Sequence, residues 1–347
     1  MKALVKTQKG DGYIEVQQKP YPTLRGEDWV IIKVKAAGVC GTDLHIWHDM
    51  YPYWPPVILG HEFSGEIVEV GSKCSRFKVG DRIVTEPHSL ACGVCDLCRQ
   101  GKVQQCAEKR SPGWGIDGGF AEYVTMPEKL LHRIPDGMSY EVAALAEPMA
   151  ITVHHVTELC GIGCMDTVVV SGAGPIGLMA AFVAKSAGAG KVIITGMDAC
   201  EAVRFPAAAK LGADHIINVQ KTNALEEVMR LTDGKGADVV IETSGATAAI
   251  CDAIMMTKKY GKICAIGLGA EMSNIPFKQI VMRSLTVVGC MSSGYTAWDK
   301  GLKLMATTDK DIGCLITHKV KLDEWEKTFL DLEAEKGIKA VFLPELG

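Results

Sequence analysis

Several features are missing from this sequence, and each absence excludes something. No apolar run reaches the roughly 18 residues that a membrane-spanning helix requires; the most apolar stretches are broken by Gly, Lys or Asp. The amino-terminal run MKALVKTQKGDGYIEV holds no apolar signal core, so export is not expected and the cytoplasm is the expected location. Excess positive charge is absent too. The 37 Lys and Arg stand against 41 Asp and Glu, a formal net charge of −4, and nothing in that balance suggests a nucleic-acid surface. No solenoid-type repeat and no low-complexity linker is found. With neither a small chain nor an oxidising compartment in view, the conditions for a disulfide framework are not met.

Yet the chain has 13 cysteines, an odd number, in 347 residues. That length suits two domains or one large one. Residues 1–150 are strand-rich: VIIKVKAAGVCG, EFSGEIVEVG and VGDRIVTE are apolar or alternating runs punctuated by Gly and Asp, as short strands with turns would be. The texture then changes. DTVVVSGAGPIGLMAAFVAKSAGAGKVIITG reads as strand, glycine turn, helix and strand, and DHIINV, ADVVIETSG, GKICAIGL and LTVVGC recur between helical segments. Short Val/Ile runs alternating with helices predict a parallel sheet of crossover units. This α/β region is expected over 151–291. From 292 to 347 the chain is expected to turn helical and close on a strand at KAVFLPE.

Four cysteines, Cys92, Cys95, Cys98 and Cys106, form C-x2-C-x2-C-x7-C. Four thiolates in one short loop match the tetrahedral set of a structural zinc, closed to substrate. An iron–sulfur cluster uses the same donors, and buried or disulfide-bonded cysteines are the plain alternative. A second set is scattered: Cys40 in GVCGTDLHIWH, His61 and Glu62 in GHE, and Glu147 in AEP. A catalytic zinc needs a few N, S or O ligands and one open position. Cys40 and His61 supply two, and either Glu62 or Glu147 could supply the third. Singly, each has an ordinary reading, Cys as core filler and His as a hydrogen-bonded structural residue.

The glycines of Gly172-Ala173-Gly174-Pro175-Ile176-Gly177 follow a strand and open a helix, the context in which G-x-G-x-x-G binds a dinucleotide. The first glycine permits the tight turn, the second lets backbone approach a pyrophosphate, and the third lets helix pack on strand. The pyrophosphate would face the free N–H groups of the helix start. At the end of the second strand, Gly196 stands where an acidic residue would grip the adenosine ribose. Asp198, two residues on, could reach the ribose hydroxyls and favour NAD. Arg204 could instead meet a 2′-phosphate and favour NADP, or be a solvated helix charge. NAD is the expected cofactor, NADP the alternative.

In this order, CGTDLHIW, ILGHEFSGEIVEVG, CGVCDLCRQGKVQQC, DGGFAEYV and AEPMAITVHH resemble the zinc-dependent medium-chain dehydrogenase/reductase superfamily, and within it the branch of sorbitol (L-iditol), threonine and butanediol dehydrogenases. The resemblance spans the chain. It implies a GroES-like β-rich catalytic domain (1–150 and 292–347) interrupted by a Rossmann doubly wound parallel-sheet domain (151–291). It also implies two zinc ions per chain: a catalytic one at Cys40, His61 and Glu62 with Glu147 nearby, and a structural one at Cys92, Cys95, Cys98 and Cys106. Thr42 and His45 match the hydroxyl and imidazole that pass the substrate proton outward. The sequence departs from the pattern at Gly196 and at Pro206, which would kink a helix if it lay beyond the first turn.

The implied activity is hydride transfer between a nicotinamide cofactor and a secondary alcohol, making the chain an NAD(P)-dependent alcohol or polyol dehydrogenase. Glutamates by the metal favour a sugar alcohol or short vicinal diol. A threonine-type 3-dehydrogenase is the alternative, although no carboxylate and ammonium recognition is evident. Tyr51, Tyr53, Trp54, Trp114 and Trp298 are candidate pocket walls or ordinary core. Rivals of other classes are a zinc-free carbonyl or enone reductase and a non-catalytic scaffold. The resemblance also implies a homo-oligomer, tetramer or dimer, with contact around LTVVGC.

Overall fold

The computed structural model of the chain describes residues 1–269, 272–289 and 291–344. It forms two units. One comprises Met1–Glu147, Gly294–Thr308 and the chain from Ile316 onward; the other comprises Pro148–Ser293 and Asp309–Leu315. The division thus falls close to 150 and 292. The short piece Asp309–Leu315 belongs to the second unit, although the sequence offered no break around it.

The first unit begins with β1 (Lys2–Lys6), β2 (Ile14–Gln18), β3 (Trp29–Gly38), β4 (Val57–Ile58), β5 (Glu62–Val70), β6 (Arg82–Thr85), β7 (Tyr123–Pro127) and β8 (Leu131–Arg133). Strands β2, β1 and β4 make a small antiparallel sheet. The long strand β3, WVIIKVKAAG, is buried along most of its length. It pairs antiparallel with both β5 and β7, and β5 continues through β6 to β8. Side chains from these strands and the segments beside them fill one core, with Val30, Ile32, Leu59, Phe63, Ile67, Ile83 and Phe120 all buried. This arrangement places Glu62 at the first residue of β5, paired with Gly38 at the last residue of β3. The end of one strand therefore delivers the segment leading to Cys40, and the start of its neighbour delivers His61 and Glu62.

The second unit holds β9 (Thr167–Ser171), β10 (Lys191–Gly196), β11 (His215–Asn218), β12 (Ala237–Glu242), β13 (Thr257–Ala265) and β14 (Thr286–Gly289). All pair in parallel, in the order β11-β10-β9-β12-β13-β14. The central runs TVVV, VIIT and VVIE are buried, which is why they read as continuous Val/Ile stretches rather than alternating ones. Order reverses between β9 and β12, and such a switch point opens a crevice at the carboxyl ends of the strands. Strand β14 is the sheet edge and is mostly exposed. The expected contact LTVVGC runs into Cys290, which lies outside the described residues.

The chain re-enters the first unit through the helix Tyr295–Thr307, then β15 (Ile316–Val320) and β16 (Lys339–Phe342). Strand β16, KAVF, was expected; β15 was not. Its sequence, ITHKV, carries three polar residues in five and is only half buried, so apolar periodicity gave it no prominence. It pairs parallel with β16, which adds to the far side of β3. No described helix is long and apolar enough to cross a membrane.

Candidate active site

Cys40 caps the helix Gly41–Trp47, and its backbone N–H donates to the Asp43 carboxylate at 2.8 Å. That bond ties the backbone of Cys40 to the first turn of the helix. Gly38, two residues earlier, has no room for a Cβ because the Glu62 carboxylate lies there. Three ligand-type atoms converge as a result. Those of Cys40, His61 and Glu62 all lie within 4.8 Å of one another. His61 and Glu62 are buried.

The polar atoms of this cluster are conspicuously unsatisfied. His61 Nδ1, Glu62 Oε1 and Asp43 Oδ1 are buried with no hydrogen-bond partner among the described residues. Asp43 Oδ1 stands 3.9 Å from His61 Nδ1, beyond a hydrogen bond but close enough to orient the ring. Buried polar groups are nearly always paired, so orphaned atoms around a Cys–His–Glu set fit a divalent metal ion such as zinc. The carboxylate–histidine arrangement is the usual outer support of such a ligand. Burial raises the Cys40 thiol, and the neighbouring Glu62 charge raises it further. Burial likewise pushes the Asp43 carboxyl up, against the pull of His61.

Glu62 has one strong partner that sequence reading missed. Lys339, buried on β16, forms an ion pair with Glu62 Oε2 and donates to the Val39 carbonyl at 2.8 Å. Nothing local marks it except a charge inside the otherwise apolar run KAVF. Asp43 was also missed, although a carboxylate three residues after Cys40, at a helix start, is a capping signal. Glu147 is the second residue of the helix Ala146–Val153. It is buried outside the tight three-residue group, and burial lifts its carboxyl to about 7, opposed by His61.

Thr42 Oγ1 is 3.7 Å from Cys40 Sγ. Thr42 and His45 lie three residues apart in the helix Gly41–Trp47, a spacing that puts them on one face, with His45 exposed. Of the aromatic candidates, Trp114 meets His61 edge-on at 4.9 Å and Tyr51 meets Trp114 at 5.7 Å. Tyr53 instead donates to Asp49 at 2.6 Å under the Lys9 ammonium. Trp54 lies under Arg110, and Trp298 stacks on His132 at 5.6 Å. Tyr53 and Trp298 are buried packing residues, and Trp54 is exposed at the surface.

The four cysteines Cys92, Cys95, Cys98 and Cys106 also have ligand atoms within 4.8 Å of one another. Cys106 Sγ is 3.6 Å and Cys98 Sγ 4.0 Å from Cys92 Sγ. Zn–S bonds of about 2.3 Å set tetrahedral S···S edges of about 3.8 Å. A cluster of several irons would spread its thiolates farther. Backbone N–H groups of Cys92, Cys95 and Cys98 point at the sulfurs of Cys106, Cys92 and Cys95. The Cys92 N–H holds the Cys106 thiol below its ordinary range, which favours the thiolate a metal takes. All described cysteines are free thiols.

In the second unit, Gly172 ends β9 at φ +108°, a conformation that suits glycine. A Cβ on Gly177 would collide with the Gly172 carbonyl, whereas one on Gly174 would meet nothing. Open space at Gly174 is what a close-approaching pyrophosphate needs. Gly174 also precedes the helix Pro175–Ser186, which has no side-chain cap. The Ile176 and Gly177 N–H groups are therefore left for an anion, and Pro175 has none to offer. The turn fits a dinucleotide.

At the end of β10, a side chain on Gly196 would strike Phe205, Ala173 and Cys200. That explains the missing acid. Asp198 follows in a short turn, exposed, accepting from Asn218 Nδ2 at 2.7 Å with Lys221 at 3.8 Å. Arg204 is buried at the start of the helix Arg204–Leu211, so the exposed cation beside Asp198 is Lys221. Pro206 is the third residue of that helix, inside the first turn, where its missing N–H costs nothing.

Comparison with known proteins gives a consistent family. Residues 26–136 match the alcohol dehydrogenase GroES-like domain, and residues 175–307 match the zinc-binding dehydrogenase domain. The chain is 42% identical to a sorbitol dehydrogenase of Halalkalibacterium halodurans, over 99% of each chain. It is 37% identical to a D-arabitol-phosphate dehydrogenase of Enterococcus avium, covering 87% of this chain and 86% of that one. A crystal structure from Sinorhizobium meliloti 1021 bound to NADP superposes with a TM-score of 0.92, at 32% identity and over 99% of each chain.

Proposed function

This chain belongs to the zinc-binding dehydrogenase family with an alcohol dehydrogenase GroES-like domain, and from that premise we propose that it oxidises a polyol or short vicinal diol at a secondary carbon, with NAD. It is an oxidoreductase of the alcohol and polyol dehydrogenase kind. The observation that carries the reading is the buried Cys40–His61–Glu62 cluster with its orphaned polar atoms. In this reading Cys40 and His61 hold a catalytic zinc with Glu62 as third ligand, while Cys92, Cys95, Cys98 and Cys106 hold a structural one. When bound, zinc supplies a Lewis acid that eases loss of the alcohol proton, and the nicotinamide supplies the hydride acceptor.

The residues of the chain do the rest. Asp43 orients the His61 ring. Lys339 keeps one Glu62 oxygen engaged and leaves the other open. Thr42 Oγ1, beside Cys40, takes the substrate hydroxyl proton in a hydrogen bond. His45, exposed on the same face of the helix, receives that proton and hands it to water. Glu147, with its carboxyl held near neutrality, serves as a polar wall that accepts from substrate hydroxyls. Gly174 with the Ile176 and Gly177 N–H groups cradles the pyrophosphate, and Asp198 takes the ribose hydroxyls.

Two sorbitol- and arabitol-phosphate-type relatives and the acidic surroundings of the cluster support a hydroxylated substrate. Mostly exposed β14, with Phe277, Val281 and Met282 exposed nearby in sequence, supports a homo-oligomer built on that edge. Clustered thiols poised for metal support a reducing, cytoplasmic setting.

The test is initial-rate measurement with NAD and NADP across polyols, short diols, secondary alcohols and threonine, with and without a chelator. Chelator-sensitive oxidation of a diol or polyol, faster with NAD, is expected. Cys40→Ser should fold normally, lose about one zinc per chain and show no turnover. Full activity in that variant overturns the assignment.

A further inference from the structure

We propose that Glu201 makes this chain select NAD over NADP, by occupying Lys221, the cation that a 2′-phosphate would need. This rests on the NAD reading above and adds a residue to it. The ends of β10 and β11 lie side by side, with Gly196 paired to Asn218 and the Val219 N–H donating to the Gly196 carbonyl at 2.9 Å. Gly196 has no room for the acid that usually grips a ribose at this point. The chain carries its acids farther on, in the turns that follow. Asp198 opens the short turn Asp198–Cys200, and Glu201 closes it with its N–H on the Asp198 carbonyl at 3.1 Å. The segments 197–203 and 219–223 hold two carboxylates, Asp198 and Glu201, and one cation, Lys221.

Side chains tie these turns together. Asn218 Oδ1 accepts from the Gln220 N–H at 3.0 Å, while Asn218 Nδ2 donates to Asp198 Oδ1 and to Glu201 Oε1, each at 2.7 Å. Gln220 Oε1 accepts from the Asp198 N–H at 2.7 Å. Lys221 completes the network. Its Nζ donates to Glu201 Oε1 and stands 3.8 Å from Asp198 Oδ1. Arg204 is buried and already engaged inside the protein. An isolated surface ion pair is weak. This one is not isolated, because Asn218 holds the Glu201 carboxylate and a second carboxylate lies by the same ammonium.

What stays open suits one chemistry. Asp198 is exposed, and its Oδ2 has no hydrogen bond to a described residue. A carboxylate oxygen only accepts, and the ribose of NAD has two hydroxyls to donate. A 2′-phosphate also only accepts. It would enter against two carboxylates, and the donors it needs, the Lys221 ammonium and the Asn218 amide, are spent on those same carboxylates. Like charges brought together cost affinity. Glu201 is thus a positioning residue: it acts on the cofactor through Lys221.

The experiment measures dissociation constants of NADH and NADPH by fluorescence titration, and of AMP and adenosine 2′,5′-bisphosphate by calorimetry. It compares the zinc-loaded wild type, Glu201→Ala, and Glu201→Ala combined with Lys221→Met. The wild type should bind NADPH at least about tenfold more weakly than NADH. Glu201→Ala should lower the NADPH-to-NADH ratio of dissociation constants on the order of 10- to 100-fold, as one charge-assisted bond becomes available to the phosphate. The bisphosphate-to-AMP ratio should fall in parallel, which places the effect at the 2′-phosphate. Adding Lys221→Met should cancel most of that gain. Melting temperature reports whether a variant is misfolded; Glu201→Gln is the substitute if Ala is. A wild type that binds NADPH as tightly as NADH overturns the NAD reading together with this one. A wild-type preference for NADH with an unchanged ratio in Glu201→Ala overturns this one alone. So does a gain that survives Lys221→Met, since loss of negative charge would then account for it without Lys221.

Discussion

At Glu62 one carboxylate meets two different demands. Its Oε2 is paired with Lys339, while Oε1 is buried and unpartnered. Removing one member of a buried ion pair leaves the other charge without compensation, at a cost of about 3–5 kcal/mol. Lys339→Met should therefore lower the stability of the zinc-free protein by about that much in urea unfolding. Adding Glu62→Gln should return a large part of the loss, because the uncompensated charge is then gone. If the double variant is no more stable than the single one, the ion pair is not what Lys339 provides. The sequence showed Glu62 through its GHE motif. It could not show Lys339, because the pairing spans 277 positions and depends on β16 joining β3.

Among the elements, the glycine turn after β9 separates two roles that one motif merges. Gly177 is needed by the fold, since any Cβ there meets the Gly172 carbonyl and Thr243. Gly174 has open space and an ordinary φ of −72°, so it is needed only by what approaches from outside. Gly177→Ala should lose about 1–3 kcal/mol of stability, as overpacking does. Gly174→Ala should change the stability of the cofactor-free protein by less than about 1 kcal/mol while weakening NADH binding, read by fluorescence titration. Equal effects of the two on unfolding would remove the distinction. The strand–turn–helix and its glycine spacing were legible because the constraint is local. The reason for Gly196 was not, because Phe205 and Cys200 reach it from the following turn and helix.

For the whole molecule, the mostly exposed edge strand is the feature that asks for a partner. Phe277, Val281 and Met282 are 64–67% exposed and Val287 on β14 is 49% exposed. An uncovered apolar edge invites pairing or aggregation. Val287→Lys should shift the protein toward a smaller species in light scattering, with the zinc content unchanged. A wild type that is already monomeric would refute the edge as an assembly surface.

Sequence alone determined the class of each part of this protein. Cysteine spacing, the GHE run and the glycine turn are short-range patterns, and their chemistry needs only those residues at that separation; Val/Ile runs between helices dictated the parallel sheet for the same reason. Only tertiary structure decided which residues share a site. Strand pairing of β3 with β5 brought Cys40 to His61 and Glu62, and addition of β16 supplied Lys339. These meetings depend on sheet register and on the packing of distant segments, and no local pattern in the chain encodes them.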